Sequence, residues 1–305
     1  MDRRIAAALA LAVALAVALA MSPRPPQARA PLILWVVPWG TITASQPPPG
    51  TLVGVVVVVP CSSNASVDFV QFEPSISLIQ QYRNRTPLFV NLFCAASTWR
   101  GTLTSVDLSH ASAFLNALKF ALGNGSGAYI GFSEMTACVA HAACRAQLAD
   151  AYRLLEAMFP DAEFFYYGTA SEKPGDIIEL ARAAGLRLIG EDLYEYKYEN
   201  GTLEVPKSFL ENLEALKSSG IPVMVGEIGF RACDAHGYIQ PWNWEIPVKV
   251  KNCAATVEFY RQAITQLLAV RPAYIGVWAW NDPTFGVSAS KEIVEFFASY
   301  AAGGG

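Results

Sequence analysis

The sequence predicts a single α/β domain, a closed (β/α)8 or TIM barrel, and three observations lead there. Eight short apolar runs rich in β-branched and aromatic residues recur between residues 31 and 280. Segments of helical period separate most of them. Glycine or proline bounds nearly every run, as expected for strands buried on both faces. This alternation over about 270 residues fits the usual length of the fold, roughly 250 residues. An open doubly wound sheet is the competing arrangement, but it wants a phosphate loop near its start. No GxGxxG or GxxxxGK[ST] stretch follows a strand here, so no nucleotide cofactor is expected.

Before the barrel come 30 residues of a different kind. Arg3 and Arg4 precede an apolar run from Ile5 to Met21, and a Pro-rich stretch leads on to Pro31. That order is the n-region, h-region and exit of an export signal. Ala28-Arg29-Ala30 has the small-x-small form of a cleavage site, although Pro31 directly after it disfavours cutting. The run is slightly short for a spanning helix of about 20 residues. A cleaved signal peptide and a retained N-terminal anchor are both open for residues 1–30. The barrel is assigned to 31–302, and 303–305 to a disordered tail.

The strands are expected at 31–39, 52–59, 88–93, 128–132, 163–167, 187–190, 222–225 and 273–280. Between them Leu108, Ala111, Leu115, Leu118 and Leu122 recur at helical spacing, as do Leu148, Ala151, Leu155 and Met158. Phe209, Leu213 and Leu216 form a third such set, and Val257, Tyr260, Ile264 and Leu267 a fourth. Gly123, Gly185 and Gly220 stand just past three of these helices, where a left-handed residue ends a helix. The first unit is irregular. Residues 40–50, with three consecutive prolines, are too short and too Pro-rich for a crossover helix.

Composition excludes several functions. A net charge of −4 and a pI near 5.5 leave no basic footprint for nucleic acid. The three histidines, His110, His141 and His236, form no HxH or HxxxH pair, so no metal site is expected. The six cysteines all lie beyond the export segment, an even count that suits disulfides in an oxidising, extracellular compartment. Proximity in the expected fold suggests Cys61 with Cys94, Cys138 with Cys144, and Cys233 with Cys253, among 15 possible pairings. Sequons at Asn64, Asn84, Asn124 and Asn200 agree with a secreted glycoprotein. A monomer is expected.

In this fold catalysis sits at the C-terminal ends of the strands. The fourth strand delivers Ser133-Glu134-Met135, and the seventh delivers Gly226-Glu227-Ile228. Simple alternation puts Glu134 on the face of Ile130 and Phe132, and Glu227 on the face of Val223 and Val225. If those faces point inward, two carboxylates meet in one mouth. Glycosidic cleavage needs such a pair, one carboxyl to protonate the leaving oxygen and one to meet the anomeric carbon. Glu191, Asp192, Glu195 and Asp282 also stand at strand ends as reserve candidates. His236 reads as a surface histidine that could touch substrate.

The stretch PVMVGEIGF, residues 222–230, resembles the nucleophile strand of the clan A retaining glycoside hydrolases, the cellulases and mannanases. GVWAWND, residues 276–282, is similar to their eighth strand. The resemblance implies Glu227 as nucleophile, Glu134 as acid/base, and Trp278 or Trp280 as the floor under the cleaved sugar. It also implies that Tyr194 hydrogen-bonds the nucleophile. One departure is Ser133, where many members of the clan carry an asparagine that contacts the sugar 2-hydroxyl.

Trp35 reads as core. Trp39, Trp99, Trp242, Trp244, Trp278 and Trp280 lie at strand ends or in loops beyond them, where indole faces can stack on sugar rings. The expected activity is retaining hydrolysis of a β-linked oligo- or polysaccharide by an exported enzyme. The alternatives are a non-catalytic carbohydrate-binding barrel at the cell surface and a structural envelope protein.

Overall fold

A computed structural model describes residues 29–40, 45–62, 69–95, 100–231, 233 and 254–303. Eight parallel strands close into a barrel: β1 (Leu32–Val36), β2 (Leu52–Pro60), β3 (Leu88–Ala95), β4 (Ala128–Ser133), β5 (Glu163–Gly168), β6 (Leu188–Leu193), β9 (Val223–Ile228) and β10 (Tyr274–Val277), which pairs back onto β1. All eight lie within three residues of their expected limits, β1 and β10 each being four residues shorter than expected. Between β6 and β9 the chain adds a small antiparallel hairpin, β7 (Lys197–Glu199) and β8 (Thr202–Glu204), turning at Asn200-Gly201.

The helices follow the strands as the apolar periodicity requires. They are α1 (Phe69–Tyr82), α2 (Ser112–Leu122), α3 (Thr136–Ala140), α4 (Ala142–Met158), α5 (Pro174–Ala184), α6 (Lys207–Lys217), α7 (Ala255–Leu267) and α8 (Lys291–Ala301). Gly123, Gly185 and Gly220 all take positive φ, and Gly185 caps α5 in the left-handed region. Among the described residues of the first unit, 45–50 form no helix, as expected: residues 49–50 turn, and Pro47 and Pro48 are buried, their carbonyls bonded by the Arg85 guanidinium at 2.9 and 3.1 Å. Among the described residues no helix is long and apolar enough to cross a membrane; the export segment, 1–28, lies outside them.

Two apolar layers hold the fold. The larger lies between strands and helices and includes Val53, Val55, Val57, Val90, Ile130, Phe132, Val223 and Val225. The smaller fills the barrel lumen with Ile33, Trp35, Val56, Phe89, Phe165, Tyr167, Leu188 and Met224. This corrects the expected facing. Ile130, Phe132, Val223 and Val225 point out toward helices, and the inward row is Tyr129, Gly131 and Ser133 on β4, with Met224 and Gly226 on β9. In a barrel with both faces apolar, hydrophobicity alone cannot tell inside from outside.

Trp35 is the centre of the lumen. Its ring lies 5.9–6.4 Å from those of Phe89, Phe165 and Tyr167. A Cβ at Gly54 or Gly276 would run into the indole, so these two glycines make its room. At the opposite end from the strand tips, Arg29 bonds the Tyr300 carbonyl at 3.0 Å, and the Tyr300 hydroxyl bonds the Ala30 carbonyl at 3.1 Å. Two disulfides match the proximity pairing: Cys61–Cys94 ties the ends of β2 and β3, and Cys138–Cys144 ties α3 to α4. Cys233 is disulfide-bonded as well, while Cys253 lies outside the described residues.

Candidate active site

At the strand tips Glu134, Asp192 and Glu227 converge. One carboxylate oxygen from each lies within 4.8 Å of the others, and the three residues are 3–5% exposed. Since Ile130 and Phe132 face outward, simple alternation does not bring Glu134 in; its backbone does. Its φ is +52°, a left-handed turn directly after β4, and its N–H is held by the Tyr167 carbonyl at 2.9 Å. Glu227 arrives by a bulge. On both neighbours Val225 and Ile228 pair with residues only two apart, Glu191 and Leu193 on β6, Ile275 and Val277 on β10. Gly226 and Glu227 thus oppose one residue on each side, and the extra residue swings Glu227 to the mouth. The Trp35 indole N–H bonds the Gly226 carbonyl at 2.8 Å and holds that bulge from across the lumen.

Glu227 accepts two short hydrogen bonds. The Tyr167 hydroxyl donates to Oε1 and the Tyr194 hydroxyl to Oε2, both at 2.6 Å. Burial, and then the charge of Glu227, push the Tyr194 hydroxyl well above its ordinary range, so it remains a donor. Behind Tyr167, the Asn91 amide donates to its hydroxyl at 2.7 Å and to Ser133 Oγ at 3.0 Å. Ser133 is thus buried against Asn91 and does not line the cleft.

The acidic surroundings extend outward. Asp192 is buried beside Glu134 and Glu227; burial, and then the charges of Glu134 and Glu227, raise its carboxyl well above the usual range. Glu172, on the loop after β5, receives the Tyr166 hydroxyl at 2.8 Å, the Thr136 hydroxyl at 3.0 Å and the Thr169 N–H at 3.2 Å. Burial lifts it to about 7, against those hydrogen bonds. Glu191 points the other way, between barrel and α6, where Asn212 donates at 3.2 Å; burial lifts it to about 8.

The mouth opens into a cleft of about 620 Å³. Trp39, Phe93, Trp278 and Phe285 form one wall, with Thr136, Thr169 and Ser171 on another. Trp39 is half exposed and packs 6.0 Å from Phe93 and 6.2 Å from Trp278. Its indole N–H bonds Asp282 at 3.0 Å, so this reserve carboxylate holds an aromatic wall in place. Trp280 corrects an expectation. It is 1% exposed and bonds the Ser45 carbonyl at 2.5 Å, in the shell rather than the cleft, so of the two candidate floor residues only Trp278 lines it. Trp99, Trp242, Trp244 and His236 lie outside the described residues.

Three solved structures share this architecture. The catalytic domain of a hyperthermophilic chitinase from Pyrococcus furiosus is 12% identical, with a TM-score of 0.51 over 93% of this chain and 97% of that one. Fungal β-1,4-galactanases give 9%, 0.52, 82% and 88%; the GH53 catalytic domain of Ignisphaera aggregans gives 10%, 0.52, 82% and 85%. The fold is that of barrel glycoside hydrolases. No protein-family model matches the chain, and no curated protein matches it in sequence.

Set in that barrel, four residues of the site escaped sequence reasoning. Tyr167 and Asn91 carried a signal, a tyrosine at the tip of β5 and a lone amide inside the apolar β3. Glu172 reads in sequence as an ordinary acid before a helix, and Tyr166 as a strand aromatic. Nothing local distinguishes either.

Proposed function

We propose that the protein is an exported glycosidase that cleaves a β-linked oligo- or polysaccharide with retention, Glu227 being the nucleophile and Glu134 the acid/base. The observation that carries the reading is the approach of their carboxylate oxygens to within 4.8 Å. Carboxyl groups about 5–5.5 Å apart suit retention, whereas inversion needs room for a water, about 6.5–9.5 Å. Glu134 protonates the leaving oxygen as Glu227 bonds to the anomeric carbon. Water then gives a proton to Glu134 while its oxygen displaces Glu227. The two tyrosines hold the Glu227 carboxylate in line, and Trp39 and Trp278 offer faces to sugar rings. The two disulfides support an oxidising, extracellular destination.

The experiment is a screen of dye-coupled polysaccharides and aryl glycosides, followed by two variants on whatever is cleaved. Glu227→Gln is expected to abolish turnover. Glu134→Ala is expected to stall on poor leaving groups yet turn over activated aryl glycosides when azide is added, giving a glycosyl azide of retained configuration. A protein that binds a glycan but releases no reducing ends over days is the carbohydrate-binding barrel instead.

A further inference from the structure

The mouth holds one carboxylate more than a two-glutamate mechanism uses. Asp192, near the end of β6, is buried, and one of its carboxylate oxygens lies within 4.8 Å of oxygens of both Glu134 and Glu227. Three ionised carboxylates this close together and out of water repel one another, and Glu227 already accepts a tyrosine hydroxyl on each of its oxygens, so the proton that relieves the cluster falls to the other two. We propose that Asp192 and Glu134 hold a single proton between them, and that Asp192 is thereby the positioning residue that keeps Glu134 ready as proton donor. The inference rests on the assignment of Glu134 and Glu227 made above.

Among the described residues, the titratable groups that act on Asp192 are acidic or phenolic: Glu134 from the tip of β4, Glu227 from the bulge of β9, Glu172 from beyond β5, and Tyr194 from just past β6. Each like charge disfavours a second ionisation in the pair. Charge through the reaction is then constant across the three carboxyls. At rest Glu227 is ionised and the pair carries one negative charge, two in all. When the pair gives its proton to the leaving oxygen it gains a charge, and Glu227, now an ester, loses one. When water attacks, its proton returns to the pair and Glu227 leaves as carboxylate. The cluster carries two negative charges at every stage, its one proton leaving with the aglycone and returning from water, so it never has to accommodate a third charge.

The test is Asp192→Asn, read as a pH profile on the dinitrophenyl and phenyl glycosides of whichever sugar the unmodified protein releases. Asparagine removes the like charge and donates to an ionised Glu134, so Glu134 loses its proton at lower pH. The alkaline limb of kcat/KM is expected to move down by about one pH unit or more. At neutral pH the phenyl glycoside is expected to lose up to about 10-fold for each unit of that shift, most of it regained in acid, while the dinitrophenyl glycoside, which needs no proton, changes little. Equal loss on both glycosides at every pH would make Asp192 a structural residue and overturn the proposal. An unmodified protein that cleaves no glycoside removes the underlying glycosidase assignment, a different failure. If Asp192→Asn does not fold, the infrared carboxyl spectrum at neutral pH decides. Glu134→Gln is expected to remove one protonated-carboxyl band from that of the unmodified protein, and an unchanged band overturns the shared proton.

Discussion

Trp35 on the first strand and Gly226 on the seventh barrel strand are joined through the lumen, indole N–H to carbonyl oxygen, at 2.8 Å. The bond fixes the residue just before Glu227, so a core side chain sets the position of a candidate catalytic one. Trp35→Phe keeps an aromatic ring but loses the N–H and leaves a gap. It is expected to cost about 2–3 kcal/mol of stability and to lower kcat by about 10-fold or more, because small displacements of a reacting group are costly. Thermal melts and steady-state kinetics on the same variant check both. Lost stability with full turnover would mean that the bulge holds itself.

The two tryptophans of the eighth strand separate by role. Trp278→Ala is expected to weaken saccharide binding by about 1 kcal/mol or more with little change in melting. Trp280→Ala, in the shell, is expected to cost about 3–5 kcal/mol of stability. Calorimetric titration with a bound oligosaccharide and a melting curve distinguish them.

Glu191 predicts a pH dependence of stability. Its folded value of about 8 stands above the ordinary 4.5, so the folded chain binds the extra proton between those limits. Stability therefore falls as pH rises from about 4.5 to about 8, then levels. Glu191→Gln removes the penalty and is expected to stabilise by on the order of 2 kcal/mol at pH 8 and by almost nothing at pH 4. Denaturant melts of both proteins at the two pH values measure the difference.

The disulfides should differ in worth. Cys61–Cys94 spans 33 residues and Cys138–Cys144 only 6. By loop-closure entropy the first contributes about 3–4 kcal/mol and the second about 2 kcal/mol. Paired Cys→Ala variants, melted under identical conditions, are expected to follow that order.

The barrel was legible because each strand is an apolar run closed off by turn residues, and such runs leave little choice of partner. Even the lack of helix at residues 45–50 showed in the prolines of residues 47–49. The two glutamates were legible for a similar reason, since each follows its strand directly. How they reach the mouth was not. Alternation assigns Glu134 and Glu227 by counting from Phe132 and Val225, whereas a left-handed residue and a bulge each break the count. Glu172 and the Tyr166 hydroxyl that serves it are brought in by folding, through contacts that no spacing encodes. The hairpin at Asn200-Gly201 carried a plain turn signal that its sequon obscured.

Glu134 occupies a backbone conformation that glycine accepts freely and a glutamate does not, at a cost of about 1 kcal/mol. Its carboxyl is also buried beside two others. The position is therefore a place where folding and chemistry ask for different residues. Glu134→Gly is expected to melt higher than the parent while losing its proton donor, and a library selected for thermostability alone should drift toward it. A chain that keeps glutamate there sits below its own stability optimum, by an amount that a single substitution can measure.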